Sequence, residues 1–219
     1  MREAVILLSG GMDSGVLLAW AVSRFDRVHG LYFDYGSKHA RREYPRACEL
    51  ASYYGAGLTR IELSFINELF SSSLLSSGAE IPEGPYAQGN ISSTVVPFRN
   101  GIMLSIAVGY AENLKIPTVL IASHSGDHPV YPDCRESFTA AMSQAAREGT
   151  FARVEIQAPF ASLDKKGIAD LGRELGLDFR MTFSCYKGSE RHCGRCATCL
   201  ERKEALGYDQ GLDPTEYLA

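Results

Sequence analysis

An apolar run, Ala4-Val5-Ile6-Leu7-Leu8, passes directly into Ser9-Gly10-Gly11-Met12-Asp13-Ser14, and then into Val16-Leu17-Leu18-Ala19-Trp20-Ala21-Val22, a helical pattern. A strand, a glycine loop and a helix in that order open a strand–helix–strand unit. They place the loop at the carboxyl edge of a strand, where open parallel sheets bind ligands. The glycines carry no Cβ, so backbone amides can crowd toward a single anion. A helix opening at Ser14 turns its unpaired N–H groups and positive dipole end on the same point. Ser9 and Ser14 add hydroxyl donors. Asp13 repels a phosphate unless a cation stands between them, so the loop implies Mg²⁺ with a nucleotide rather than a bare anion. The alternative is an ordinary glycine turn capped by Asp or Ser. The run lacks the lysine of G-x-x-x-x-G-K-[ST] and the third glycine of a dinucleotide fingerprint, so it signals neither a P-loop kinase nor a dehydrogenase.

At the other end of the chain Cys185, Cys193, Cys196 and Cys199 fall in the spacing C-x7-C-x2-C-x2-C. Two overlapping C-x-x-C steps let thiolates on turns converge within about 4 Å, and the upstream sulfur closes a tetrahedron suited to Zn²⁺. Four protein sulfurs leave no open position, which makes the ion structural. An iron–sulfur cluster, a redox dithiol and free thiols are the rival readings. His192 could replace one sulfur, but with four cysteines present it reads as a neighbour of the site or a surface residue. The charged run Glu201-Arg202-Lys203-Glu204 predicts a short helix after the last cysteine.

The 219 residues with 45% hydrophobic content can bury one α/β core. A net charge of −4 and a pI near 5.8 argue against a partner as anionic as a polynucleotide and favour small-molecule substrates. The opening MREAVILLSG reads neither as a signal peptide nor as a membrane span. Six cysteines with a thiolate metal site suit a reducing cytoplasm.

Strands are predicted at 4–8, 28–34, 58–63, 118–122 and 154–157. Helices are predicted at 14–24, 46–54, 100–114, 134–147 and 165–175, with Pro45 at a first helical position and Gly176 as a stop. The alternation predicts a parallel sheet with helices on both faces. Residues 1–180 form the nucleotide-binding domain in this reading, and 181–219 a small zinc-binding element packed on it. The Ser-, Gly- and Pro-rich segment 67–94 breaks the rhythm and reads as a mobile excursion, a lid or a dimer contact.

Three interior motifs narrow the chemistry. Val96-Pro97-Phe98-Arg99-Asn100 sets a guanidinium and an amide near a helix start, where phosphate or carboxylate can dock; a surface Arg beside an Asn cap is the alternative. His124-Ser125-Gly126-Asp127-His128 follows a strand and so lies at the ligand-binding edge. It leads to Tyr131-Pro132-Asp133-Cys134-Arg135, where Asp133 and Arg135 offer an acceptor and a donor fork to a flat heterocycle. Cys134 reads as a buried small apolar residue and is assigned no catalytic role.

The SGGMDS run resembles the S-G-G-x-D-S loop of the PP-loop ATP pyrophosphatases. That superfamily splits ATP between its α and β phosphates and uses the adenylyl group to activate an oxygen for replacement by nitrogen or sulfur. With DYGSKH (residues 34–39), VPFRN, YPDCR and the four-cysteine tail in this order, essentially the whole chain resembles the QueC or ExsB family of 7-cyano-7-deazaguanine synthases. The resemblance implies a Rossmann-like, adenine nucleotide alpha hydrolase-like fold, one structural Zn²⁺ per chain and a homodimer. It implies that ATP activates the carboxylate of 7-carboxy-7-deazaguanine, that free ammonia gives an amide, and that a second activation gives the nitrile, preQ0. On this reading Ser9, Gly10, Gly11, Met12, Asp13 and Ser14 form the ATP loop, and Cys185, Cys193, Cys196 and Cys199 hold the zinc. Arg99, Asp133 and Arg135 face the substrate, and Lys165 neutralises charge as pyrophosphate leaves. Where the family commonly reads Y-G-Q-R-H, this chain has Tyr35-Gly36-Ser37-Lys38-His39. A tRNA sulfurtransferase, an amidating synthetase of the GMP or NAD type, and a zinc-stabilised nucleotide-binding module are the other readings.

Overall fold

The computed structural model describes residues 1–86, 92–127 and 131–218. Five parallel strands, β1 (Glu3–Leu7), β2 (Arg27–Asp34), β3 (Gly57–Glu62), β4 (Thr118–Leu120) and β5 (Glu155–Gln157), stand in the order β3-β2-β1-β4-β5. β1 is therefore central, with Ile6 opposite Gly30 of β2 on one side and Leu120 of β4 on the other. The chain steps outward from β1 to β3, then returns across β1 to build β4 and β5. The crevice between the ends of β1 and β4 is thus the switch point where such a sheet takes its ligand.

Alternation along the strands divides the core in two. Ala4, Ile6, Leu8, Val28, Tyr32 and Leu120 face α1 (Met12–Val22), α2 (Ala40–Tyr53) and α6 (Lys165–Glu174). Val5, Leu31, Phe33, Val119 and Ile156 share the opposite cluster with α4 (Arg99–Leu114), α5 (Glu136–Gly149) and the four tail cysteines. Among the described residues no helix is long and apolar enough to cross a membrane.

The five predicted strands are present with ends shifted by at most two residues. Three helix starts differ by two residues or more. α1 begins at Met12, with Gly11 as its cap, so Asp13 lies in the first turn and Ser14 is not the opening residue. α2 begins at Ala40 rather than 46. His39 caps it by accepting the Arg42 and Glu43 N–H groups on its carbonyl, so Pro45 lies inside the helix. Proline there has no N–H for the Arg41 carbonyl and its ring crowds that carbonyl, a local cost that the rest of the helix carries. Residues 132–134 form a 3₁₀ turn and α5 starts at Glu136, because Arg135 is extended.

The described part of 67–94 packs against the fold through buried side chains and hydrogen bonds. After α3 (Ser64–Leu69), Leu74 and Leu75 are fully buried. Leu74 O accepts from Lys38 N, Gly36 O from Ser76 N, and the Asn67 side chain from the Ser76 and Ser77 hydroxyls. The serines that make the segment look like coil are the groups that tie its backbone down. Residues 87–91 lie outside the described residues.

The predicted C-terminal helix is present as α7 (Ala197–Leu206), but it starts before the last cysteine: Cys196 caps it and Cys199 lies in its first turn. It carries Arg202, which is 1% exposed and whose guanidinium donates to Thr215 Oγ1, Thr182 Oγ1, Ser184 Oγ and the Phe179 carbonyl. This one side chain fastens the tail to the segment after α6, whose Phe183 N–H bonds the Gly10 carbonyl of the glycine loop. Replacing it by methionine keeps the apolar stem but removes four hydrogen bonds. The expected cost is about 3 kcal/mol, read as a melting-temperature drop of roughly 6–12 °C.

Candidate active site

The glycine loop closes on itself. Ser14 Oγ donates to the Gly11 carbonyl and accepts from Ser9 N, and the Ser9 and Ser14 hydroxyls lie 3.0 Å apart. Gly10 has φ +88°, and a Cβ there would stand 2.4 Å from the Glu43 carbonyl and 2.8 Å from Ala47 N. The loop therefore needs glycine at position 10 to lie against α2. Gly10 does not line the cavity; Ser9, Gly11, Met12, Asp13 and Ser14 do.

Lys165 opens α6 and sends its Nζ to Asp13 Oδ2 at 2.6 Å, with His124 Nε2 3.5 Å away. Burial works to raise the Asp13 pKa, but the Lys165 ammonium and His124 outweigh it and hold the carboxyl below its ordinary value. Asp13 Oδ1 is buried and has no hydrogen-bond partner among the described residues. An ionised carboxylate with one oxygen on an ammonium and the other unsatisfied is a donor arrangement that fits a cation.

Across the cavity, Phe98 takes the left-handed conformation, φ 51° and ψ 28°, at the start of α4. Its ring packs edge-on against Phe138 with centroids 5.6 Å apart and covers Gly101, where a Cβ would meet it at 2.3 Å. This strained turn aims Arg99 into the cavity, where its Nη1 donates to the Tyr35 hydroxyl at 3.1 Å. Tyr86, Tyr131 and Tyr186, from three separate loops, complete the wall. Their hydroxyls lie 2.9 to 3.5 Å from one another. Burial keeps Tyr86 and Tyr186 protonated. The wall offers flat apolar faces with hydroxyl edges, a surface suited to a planar polar heterocycle.

Near the loop, α2 contributes His39 and Glu43. Burial pushes the Glu43 carboxyl up to about 8, with Arg99 opposing. Burial first and Arg99 second push His39 down to about 4, so its ring is neutral near pH 7.

Of the predicted site residues, the cavity brings together Ser9, Gly11, Met12, Asp13, Ser14, Arg99 and Lys165. Asp133 and Arg135 are not among the lining residues. Asp133 Oδ2 accepts the Asn100 N–H at 2.8 Å, and its carbonyl accepts Asn100 Nδ2 at 3.2 Å. The acid is thus a cap for α4. Arg135 is exposed at the start of α5. Cys134 does line the cavity and receives a contact from Asn100 Nδ2 at 3.2 Å. His128, from the loop after β4, lies outside the described residues. Sequence reading missed Glu43 and the tyrosine wall. For Glu43 the available signal was its place four residues after His39, one turn along the same helix.

The sulfurs of Cys185, Cys193, Cys196 and Cys199 lie within 4.8 Å of one another and all four residues are buried. Cys193 Sγ and Cys199 Sγ are 3.9 Å apart, and the Arg195 and Cys196 amides point at Cys193 Sγ. Four thiolates at this spacing repel one another. Contact with Cys185 holds the Cys199 thiol above its ordinary range and pushes Cys196 up to about 12. A dication removes that penalty, so the cluster can hold a metal ion such as zinc. His192 accepts the Ser184 N–H on Nε2 and packs on Phe183 and Tyr217, so it is a buried brace outside the sulfur cluster.

Comparison with known proteins adds the family. The family model described as Queuosine biosynthesis protein QueC matches residues 3–209. A protein of Desulfotalea psychrophila named 7-cyano-7-deazaguanine synthase is 55% identical over 218 residues, covering 100% of each chain. One of Porphyromonas gingivalis with the same name is 50% identical over 217 residues, covering 99% of this chain and 97% of the other. The solved structure of NMN synthetase from Francisella tularensis superposes with a TM-score of 0.54 at 16% identity, over 99% of this chain and 79% of that one, a likeness of fold. The chain belongs to the QueC family of queuosine biosynthesis proteins.

Proposed function

We propose that the protein is a 7-cyano-7-deazaguanine synthase that uses ATP to activate the carboxylate of 7-carboxy-7-deazaguanine, releasing pyrophosphate, and joins it to ammonia. A second activation of the amide oxygen then yields the nitrile. A carboxylate resists attack because its charge repels the nucleophile and oxide is a poor leaving group. Adenylation removes both obstacles. The observation that carries this reading is the convergence at the β1–β4 crevice of a phosphate-loop geometry, the Asp13–Lys165 pair and Arg99.

The loop residues Ser9 to Ser14 would hold the phosphates by backbone and hydroxyl donors. Lys165 stands where it can follow the charge that develops on the departing pyrophosphate, and Arg99 where it can hold the substrate carboxylate. The tyrosine wall would stack and orient the deazaguanine. Asp13 would hold Mg²⁺, which when bound screens the phosphate charge. One Zn²⁺ on the four cysteines would be structural, because that set leaves no open position.

The test is the fate of ATP. With 7-carboxy-7-deazaguanine, Mg²⁺ and ammonium, chromatography of the nucleotides is expected to show AMP formed in an acid-dependent way. ADP as the product, or AMP formed equally without the acid, would refute the reading.

A further inference from the structure

The amidation step sheds a proton, and the cavity holds few groups able to take it. Asp13 is engaged by Lys165, and Arg99 and Lys165 are cations. Glu201 also lines the cavity, near Tyr86. Glu43 is different. Its side chain is 15% exposed, lines the cavity, and has Oε2 3.6 Å from His39 Nε2. Its Oε1 lies 3.8 Å from the point where a Cβ on Gly11 would stand, so the carboxyl faces the loop that would carry the adenylyl phosphate.

We propose that Glu43, supported by His39 one helical turn before it, accepts the proton that the nitrogen nucleophile releases as it displaces AMP. The inference rests on the amidation reading above. Ammonia adds to the acyl carbon, the new C–N bond forms, and the bond from that carbon to the adenylyl oxygen breaks. AMP leaves with the electron pair, and one N–H proton passes to the Glu43 carboxylate. The products are the amide, AMP and a protonated Glu43, which returns its proton to solvent.

The surroundings support this assignment. Tyr32 of β2 and Tyr35 just after it face Glu43, Arg99 faces it from α4, and His39 from the cap of its own helix. Burial sets the carboxyl at about 8, close to working pH, where a general base combines an adequate ionised fraction with proton affinity. The neutral His39 ring adds no positive charge that would lower it.

The test separates activation from amidation in the full-length protein. Exchange of labelled pyrophosphate into ATP, dependent on 7-carboxy-7-deazaguanine, reads activation alone; amide formation with ammonium reads both. In Glu43→Gln, amide formation is expected to fall about 100-fold further than exchange does. The rate plotted against free ammonia should also lose its rise near pH 8. Glu43→Asp should recover part of the amidation with the pH limb still present. Equal losses in both assays, or a wild-type pH limb in Glu43→Gln, would overturn the proposal. If Glu43→Gln does not fold, Glu43→Asp decides: a depressed ratio of amidation to exchange supports the proposal, and a wild-type ratio overturns it. Absence of acid-dependent exchange in the wild-type protein overturns the amidation reading itself, and the role of Glu43 with it.

Discussion

Asp13→Asn is expected to lower AMP formation by about a thousandfold while leaving the fold in place. The substitution keeps the size of the side chain and one oxygen for Lys165, but removes the charge. Asp13 sits in the first turn of α1 with Lys165 Nζ at 2.6 Å and one oxygen unpaired. If that oxygen holds the cation that screens the phosphates, its loss acts on the transition state, where such groups each contribute a factor of about 10²–10³. The stability effect should be small. The pair is partly solvated, with side chains 20% and 26% exposed, so its loss should shift the melting temperature by less than about 8 °C. Turnover at the wild-type rate in a folded Asp13→Asn would remove Asp13 from the mechanism. Equal loss of fold and activity would make its role structural.

Cys196→Ser should show the reverse pattern, loss of metal and of stability together. Cys196 is the N-cap of α7, with φ −73° and ψ 157°, and serine is among the best residues for that position. The helix start is therefore preserved and the change isolates the sulfur. Losing one of four thiolates from a site whose metal affinity is coupled to folding is expected to cost at least about 4 kcal/mol, roughly 8–16 °C in melting temperature. Metal analysis should fall from one zinc per chain to well below that. A chelator should bring the wild-type protein toward the same melting temperature. Full zinc content in the serine variant would contradict the four-sulfur assignment.

The parts of the site that the sequence made legible are those built from one short stretch of chain. The strand, loop and helix around Ser9–Ser14 are contiguous, and the cysteine spacing brings its own geometry. Asp133 and Arg135 could not be placed that way. Their motif reads as a pair of ligand-binding groups, yet the acid is used to cap α4 through Asn100 and the base is turned outward. The tyrosine wall was hidden because Tyr86, Tyr131 and Tyr186 are far apart in the chain and meet only through tertiary structure. Pro45 was misread by a sound rule. Proline favours first helical turns, but here the capping carbonyl of His39 starts the helix earlier. The serines around Leu74 and Leu75 look like coil because the bonds that fix them are to residues such as Lys38 and Asn67, which no local pattern reveals.

Mass spectrometry of the products from purified protein, 7-carboxy-7-deazaguanine, ATP, Mg²⁺ and ammonium tests the central claim most directly. The account predicts the nitrile, with two AMP formed per nitrile and the amide as an intermediate that is consumed. No nitrile from an intact, zinc-loaded protein that binds ATP would contradict it.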